Sequence, residues 1–155
     1  MTALALKPLI RFSLSLGLVL VAVAGIFYGF SSIFSDSHSP QLIAPNGNIA
    51  IEIVNDDASR ILGLSGRAEL SDDQGMLFEF DDSSTKHCFW MKDMKFSIDI
   101  VWLDQNKNVV EIKDDVSPDT YPNSFCPDKP AKYVLEVASG RAEELGIIKI
   151  SALSW

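Results

Sequence analysis

The chain has 155 residues, 13 Lys and Arg against 21 Asp and Glu, and a formal net charge of −8. That length holds one domain plus an appendage. The acidic balance excludes functions that track a phosphate backbone, since such a surface repels nucleic acid and anionic lipid.

Residues 12–34 contain no charged side chain, with Lys7 and Arg11 before them and Asp36 after. About 20 apolar helical residues cross the hydrocarbon core of a bilayer, and a lone helix there satisfies its own backbone hydrogen bonds. The run therefore reads as a transmembrane helix. Two basic residues precede it and none follows until Arg60. This asymmetry places residues 1–11 in the cytoplasm and exports the remainder, giving a single-pass membrane protein. Ala22-Val23-Ala24 has the small-x-small form of a signal-peptide cleavage site. The apolar Ile26-Phe27-Tyr28-Gly29-Phe30 continues beyond it, which favours an uncleaved anchor. Beyond the run lie all 21 acidic residues and 11 of the 13 basic ones, a formal charge of −10.

Residues 35–47, rich in Ser, Pro and Asn, read as a linker, and residues 48–155 as the exported domain. Ile49, Ile51 and Ile53 alternate with Ala50 and Glu52, a period-two strand signal. Asp56 and Asp57 offer capping carboxylates to a short helix over residues 58–62, and Gly63 stops it. A strand is expected over residues 75–80, a short apolar piece at Phe89-Trp90-Met91, and a strand over residues 97–103. A hairpin loop at residues 104–108 leads into a strand at 109–112. Residues 132–137 form another strand, Ser139 caps a short helix around Arg141–Glu144, Gly146 ends it, and residues 147–153 close the chain as a strand. The expected fold class is mainly β with two short helices (α+β), a compact antiparallel sheet or barrel-like domain.

Cys88 and Cys126 both lie in the exported part. An even count in an oxidising compartment predicts a disulfide, contributing about 3–4 kcal/mol in the chain-entropy model. His87 beside Cys88 does not make a nucleophile and base, because neighbouring strand side chains point to opposite faces. The doublets Asp56-Asp57, Asp72-Asp73, Asp81-Asp82 and Asp114-Asp115 lack the alternating pattern of a calcium loop and fall at turns and a cap. No metal or cofactor is implied.

Arg60 with Gly63-Leu64, then Gly75-Met76-Leu77-Phe78-Glu79-Phe80, then Phe89-Trp90-Met91-Lys92, resembles domain-of-unknown-function family 192. Ile98 to Asp104, Tyr133 to Val137 and Ser139-Gly140 continue the resemblance in the family's order, over residues 49–153. It implies a small β-rich fold with two short helices and no reaction. Two departures stand out: Asp93 replaces the family's usual Asn, and Ser97-Ile98 its usual Pro-Leu.

Candidate pocket residues are Arg60, Trp90, Met91, Asp99 and Glu136. Asp99, flanked by Ile98 and Ile100, is expected to face solvent or a cleft, and Glu136 is placed alike between Leu135 and Val137. Two such carboxylates could converge for acid–base work or cation binding, or each could be an ordinary solvent-face residue. Trp90 and Met91 line a pocket or belong to the core. Arg60 clamps an anion or pairs with Glu136 or Asp99. Lacking a catalytic motif, the sequence favours a binding or accessory module of the envelope, with a small ligand or a protein as partner. The alternatives are a glycan hydrolase using Asp99 and Glu136, whose carboxyls would have to converge, and a rigid spacer, which predicts no pocket.

Overall fold

The computed structural model describes residues 39–155; the apolar run at 12–34, the charges before it and the possible cleavage site lie outside them. Eight strands and two short helices occur in these residues: β1 (Gln41–Ala44), β2 (Gly47–Val54), α1 (Asp57–Leu62), β3 (Gln74–Glu79), β4 (Phe89–Trp90), β5 (Ile98–Leu103), β6 (Val109–Val116), β7 (Ser124–Phe125), β8 (Tyr133–Ala138) and α2 (Arg141–Glu144). A single 3-10 turn at Pro118–Thr120 lies between β6 and β7.

Six strands form one open sheet in the order β1-β2-β3-β8-β5-β6, and β4 pairs with β7 in a separate two-stranded arm. The sheet is mainly antiparallel, as expected, with one exception at the seam where β2 and β3 run parallel. A parallel pair needs a crossover of a dozen or more residues, and α1 with the loop behind it supplies one. Barrel closure is not reached. Instead the C-terminal segment bridges both sheet edges, Ile43 to Ser154 on β1 and Asn108 to Ala152 before β6. Residues 147–153 accordingly form turns and isolated bridges rather than the expected strand. A second correction concerns the linker: its residues 41–44 are β1, paired antiparallel with β2 and burying Leu42 and Ala44.

Local chemistry explains α1. Asp56 sits extended at the N-cap and accepts from the Ser59 N–H, one of the orphan donors of a helix start. Gly63 ends the helix at φ +50°, and a Cβ there would also come 3.3 Å from the Phe78 ring, so glycine suits both the turn and the close packing.

Each face of the sheet carries its own apolar cluster. Leu77, Val101, Leu103, Leu135 and Val137 point to one side, where Ala142, Leu145, Ile147 and Leu153 from α2 and the C-terminal segment cover them. Met76, Phe78, Ile98, Ile100, Trp102 and Val134 point to the other, beneath Leu64, Met91 and the β4–β7 arm. Covered on both sides, β5 is buried at all six positions, as expected of a strand with no solvent face.

Candidate functional site

Asp99 does not face solvent or a cleft. It is 1% exposed, one carboxylate oxygen accepting from the Asp115 N–H at 2.9 Å and the other from the Ala142 N–H at 3.0 Å. The second bond caps α2 from across the fold, so the cap expected from Ser139 is corrected. Gly140 occupies the N-cap at φ +80° with no side-chain hydrogen bond, and Ser139 donates instead to the Asp115 carboxylate. Asp99 is a structural acceptor that joins β5 to β6 and α2.

Glu136 has the contrary environment. In the β5–β8 register Ile100 lies opposite Glu136 and Asp99 opposite Val137, so the two carboxyls leave the sheet on opposite faces. This separation removes the carboxylate pair on which the hydrolase reading stood. Glu136 is 5% exposed and lines a cleft of about 470 Å³ on the side of α1 and the β4–β7 arm. No hydrogen bond from the described residues contributes to its environment; burial pushes its carboxyl up to about 8, and the charge of Arg67 opposes that rise. At neutral pH Glu136 is therefore chiefly the uncharged acid.

The walls around it are aromatic. Phe89 meets Phe78 edge-on at 4.8 Å and Phe80 at 6.5 Å, and the His87 ring stacks on Phe80 at 3.5 Å. Fully buried Trp102 holds this wall in place: its indole N–H donates to the His87 carbonyl at 2.7 Å, and its ring packs edge-on to Phe89. Leu64 and Met94 complete the apolar lining. At the mouth, Ile61 is 83% exposed on α1 and Trp90 is 52% exposed on β4, with Tyr121 edge-on to Trp90. Few polar groups on a mainly apolar, concave surface are the usual makings of a small-molecule site.

The remaining predicted site residues divide. Trp90 lines the cleft, whereas Met91 is 1% exposed and belongs to the core beneath it. Arg60 lies on the rim but pairs with neither Glu136 nor Asp99. Its guanidinium donates to the Asn55 and Glu79 carbonyls and the Asp57 carboxylate, fastening α1 to the ends of β2 and β3, and lies 5.2 Å from the Phe80 ring centroid. Phe78, Phe80, His87 and Phe89 are wall residues that the sequence reading did not single out. The alternation of Met76, Phe78 and Phe80 marks one face of a strand, but nothing local shows that this face borders a cleft.

The disulfide is formed between Cys88 and Cys126, with Cα atoms 4.2 Å apart. It leaves Cys88 no thiol to act as a nucleophile, and it secures the arm next to the Phe89–Phe125 and Trp90–Ser124 pairs. Acidic doublets serve turns: Asp82 accepts from the Ser84 and Thr85 hydroxyls and the Ser84 N–H, which hold its carboxyl down at about 2. Among the described residues no group of three or more His, Cys, Asp or Glu is arranged to hold a metal ion.

The chain belongs to domain-of-unknown-function family 192 (DUF192), described as an uncharacterized ACR, whose family model matches residues 41–155. Two solved structures share the fold. A proposed transcription regulator from Sinorhizobium meliloti is 26% identical, with a TM-score of 0.67 over 74% of this chain and 89% of that one. A protein of unknown function from Novosphingobium aromaticivorans is also 26% identical, with a TM-score of 0.66 over 74% of this chain and 82% of that one. No curated protein matches the chain.

Proposed function

We propose that this chain is a ligand-binding module of the cell envelope, held at the membrane by residues 12–34 and receiving an apolar, ring-bearing group in the Glu136 cleft. One observation carries the reading: Glu136 is almost wholly buried on an aromatic-walled cleft, with no hydrogen-bond partner among the described residues. The Glu136 oxygens open onto the cleft instead of meeting a protein donor, so a ligand seated there can supply their hydrogen-bond partner. The charge asymmetry around residues 12–34 and the Cys88–Cys126 bridge support an exported location.

The cleft argues against a mere spacer. The regulator role proposed for the Sinorhizobium protein finds no support in charge, because residues 39–155 hold 11 basic against 20 acidic side chains, a balance that repels a phosphate backbone.

The test is a thermal-shift screen of the full chain in nonionic detergent against small aromatic and alicyclic compounds. A ligand at one hundred times its Kd should stabilise the fold by about 2.7 kcal/mol, and the shift should disappear in a Trp90→Ala, Phe80→Ala double variant. Stabilisation that survives in this variant would place the ligand elsewhere and remove the cleft reading.

A further inference from the structure

Resting on that binding reading, we infer that the cleft selects a cation: an organic ammonium carried on an aromatic body, its N–H groups directed at the Glu136 carboxylate. The available polar groups point to this charge class. Arg60 is the one Lys or Arg among the cleft-lining residues, and its donors are already given to two carbonyls and Asp57. An anionic ligand would therefore bring its charge to a cleft with no uncommitted guanidinium or ammonium. A cation finds a carboxyl that takes no hydrogen bond from the described residues, and the rings of Phe78, Phe89 and Trp90, whose faces attract positive charge. Arg60 over Phe80 shows such a contact within the same cleft. The acidic domain also concentrates cations around itself.

Binding then displaces a proton. Burial holds the free Glu136 carboxyl protonated near neutral pH, so an arriving ammonium forms a carboxylate–ammonium pair and the carboxyl proton leaves to solvent. The charged groups around Glu136 fit this exchange. Arg67 is paired with Glu52 of β2, Arg60 with Asp57 on α1, and His87 is stacked on Phe80. From the flanking strands Glu136 meets Met76 and Ile100 in register, neither of which titrates.

The experiment is isothermal titration calorimetry on the full chain in nonionic detergent with three matched probes: phenethylammonium, 2-phenylethanol and 3-phenylpropionate. At pH 8 the ammonium should bind at least about tenfold tighter than the alcohol. Its affinity should rise by up to about tenfold per pH unit from pH 6 to 8. At pH 7 close to one proton should be released, read from buffers of different ionisation heat. Glu136→Gln should abolish both the proton release and the cation preference. Alcohol binding equal to or tighter than ammonium binding at pH 8, or a cation preference that persists in Glu136→Gln, overturns the inference and leaves the binding module standing. Binding of none of the three overturns both.

Discussion

Asp99 and Glu136 sit on adjacent strands of one sheet, both nearly inaccessible to water, and differ in what surrounds their oxygens. Asp99 accepts two backbone N–H groups on the face sealed by α2 and the C-terminal segment. Glu136, on the face beneath α1 and the β4–β7 arm, looks into a cleft and takes no hydrogen bond from the described residues. A carboxylate whose oxygens both receive backbone donors has its hydrogen bonding satisfied and works as a structural joint. A carboxyl stripped of water without such donors is pushed toward its neutral form and retains its binding capacity. Burial alone thus says little about a carboxylate's role; the donors around it decide.

The contrast can be broken experimentally, beginning with Asp99. Asp99→Ala should cost about 3–5 kcal/mol in urea unfolding, since it leaves the Asp115 and Ala142 N–H groups without their acceptor and opens a cavity. A loss below 1 kcal/mol would deny Asp99 its role as a joint. Next in size, a Cys88→Ser, Cys126→Ser variant should lose about 3–4 kcal/mol. Because the bridge secures the arm that carries Trp90, the same variant should bind cleft ligands more weakly.

The Glu136 side of the comparison is sharpened by pH. Its folded value of about 8 lies above the ordinary 4.5, so between those values the folded chain keeps a proton that the unfolded chain has lost. Stability from this group is fully present below pH 4.5 and falls as pH rises toward 8. Glu136→Gln should flatten that slope and, at pH 8, be more stable than the wild type. Parallel pH profiles for the two proteins would show that Glu136 is ionised in the fold. The smallest effect on stability is expected at Trp90. Being half exposed, its replacement by Ala should cost about 1 kcal/mol, well under the value for a buried Trp, while ligand affinity falls at least about tenfold.

Much of the fold is legible in local sequence. The Ile49-Ile51-Ile53 alternation, the Asp56 cap with its Gly63 stop, and the Asp104–Asn108 turn between β5 and β6 state their roles within a few residues, and the family blocks supply the order. What the sequence hides is long-range. β1 has only two inward residues and sits among Ser, Pro and Asn, so it reads as linker until β2 pairs with it. The parallel β2–β3 seam depends on where a crossover lands. Asp99 lies between two isoleucines, which suggests an outward side chain, yet its partners come from 16 and 43 residues away. The cleft is hidden for the same reason: Glu136, Phe80, Phe89 and Trp90 come together only when the arm folds over the sheet. Of the five candidate residues, the cleft gathers Arg60, Trp90 and Glu136, while Met91 and Asp99 are interior.

The segment at residues 151–154 governs how copies of the chain can meet at their sheet edges. An open sheet presents two edges of unpaired N–H and C=O groups, each a template for a strand from another molecule. Here one short piece of backbone touches both edges, exchanging hydrogen bonds between Ile43 and Ser154 and between residues 107–109 and 150–153, while Lys113, Asp114 and Asp115 place charge along the rest of β6. A few residues thus guard both flanks of the sheet against intermolecular strand exchange, and keep neighbouring copies of the chain from growing into aggregates.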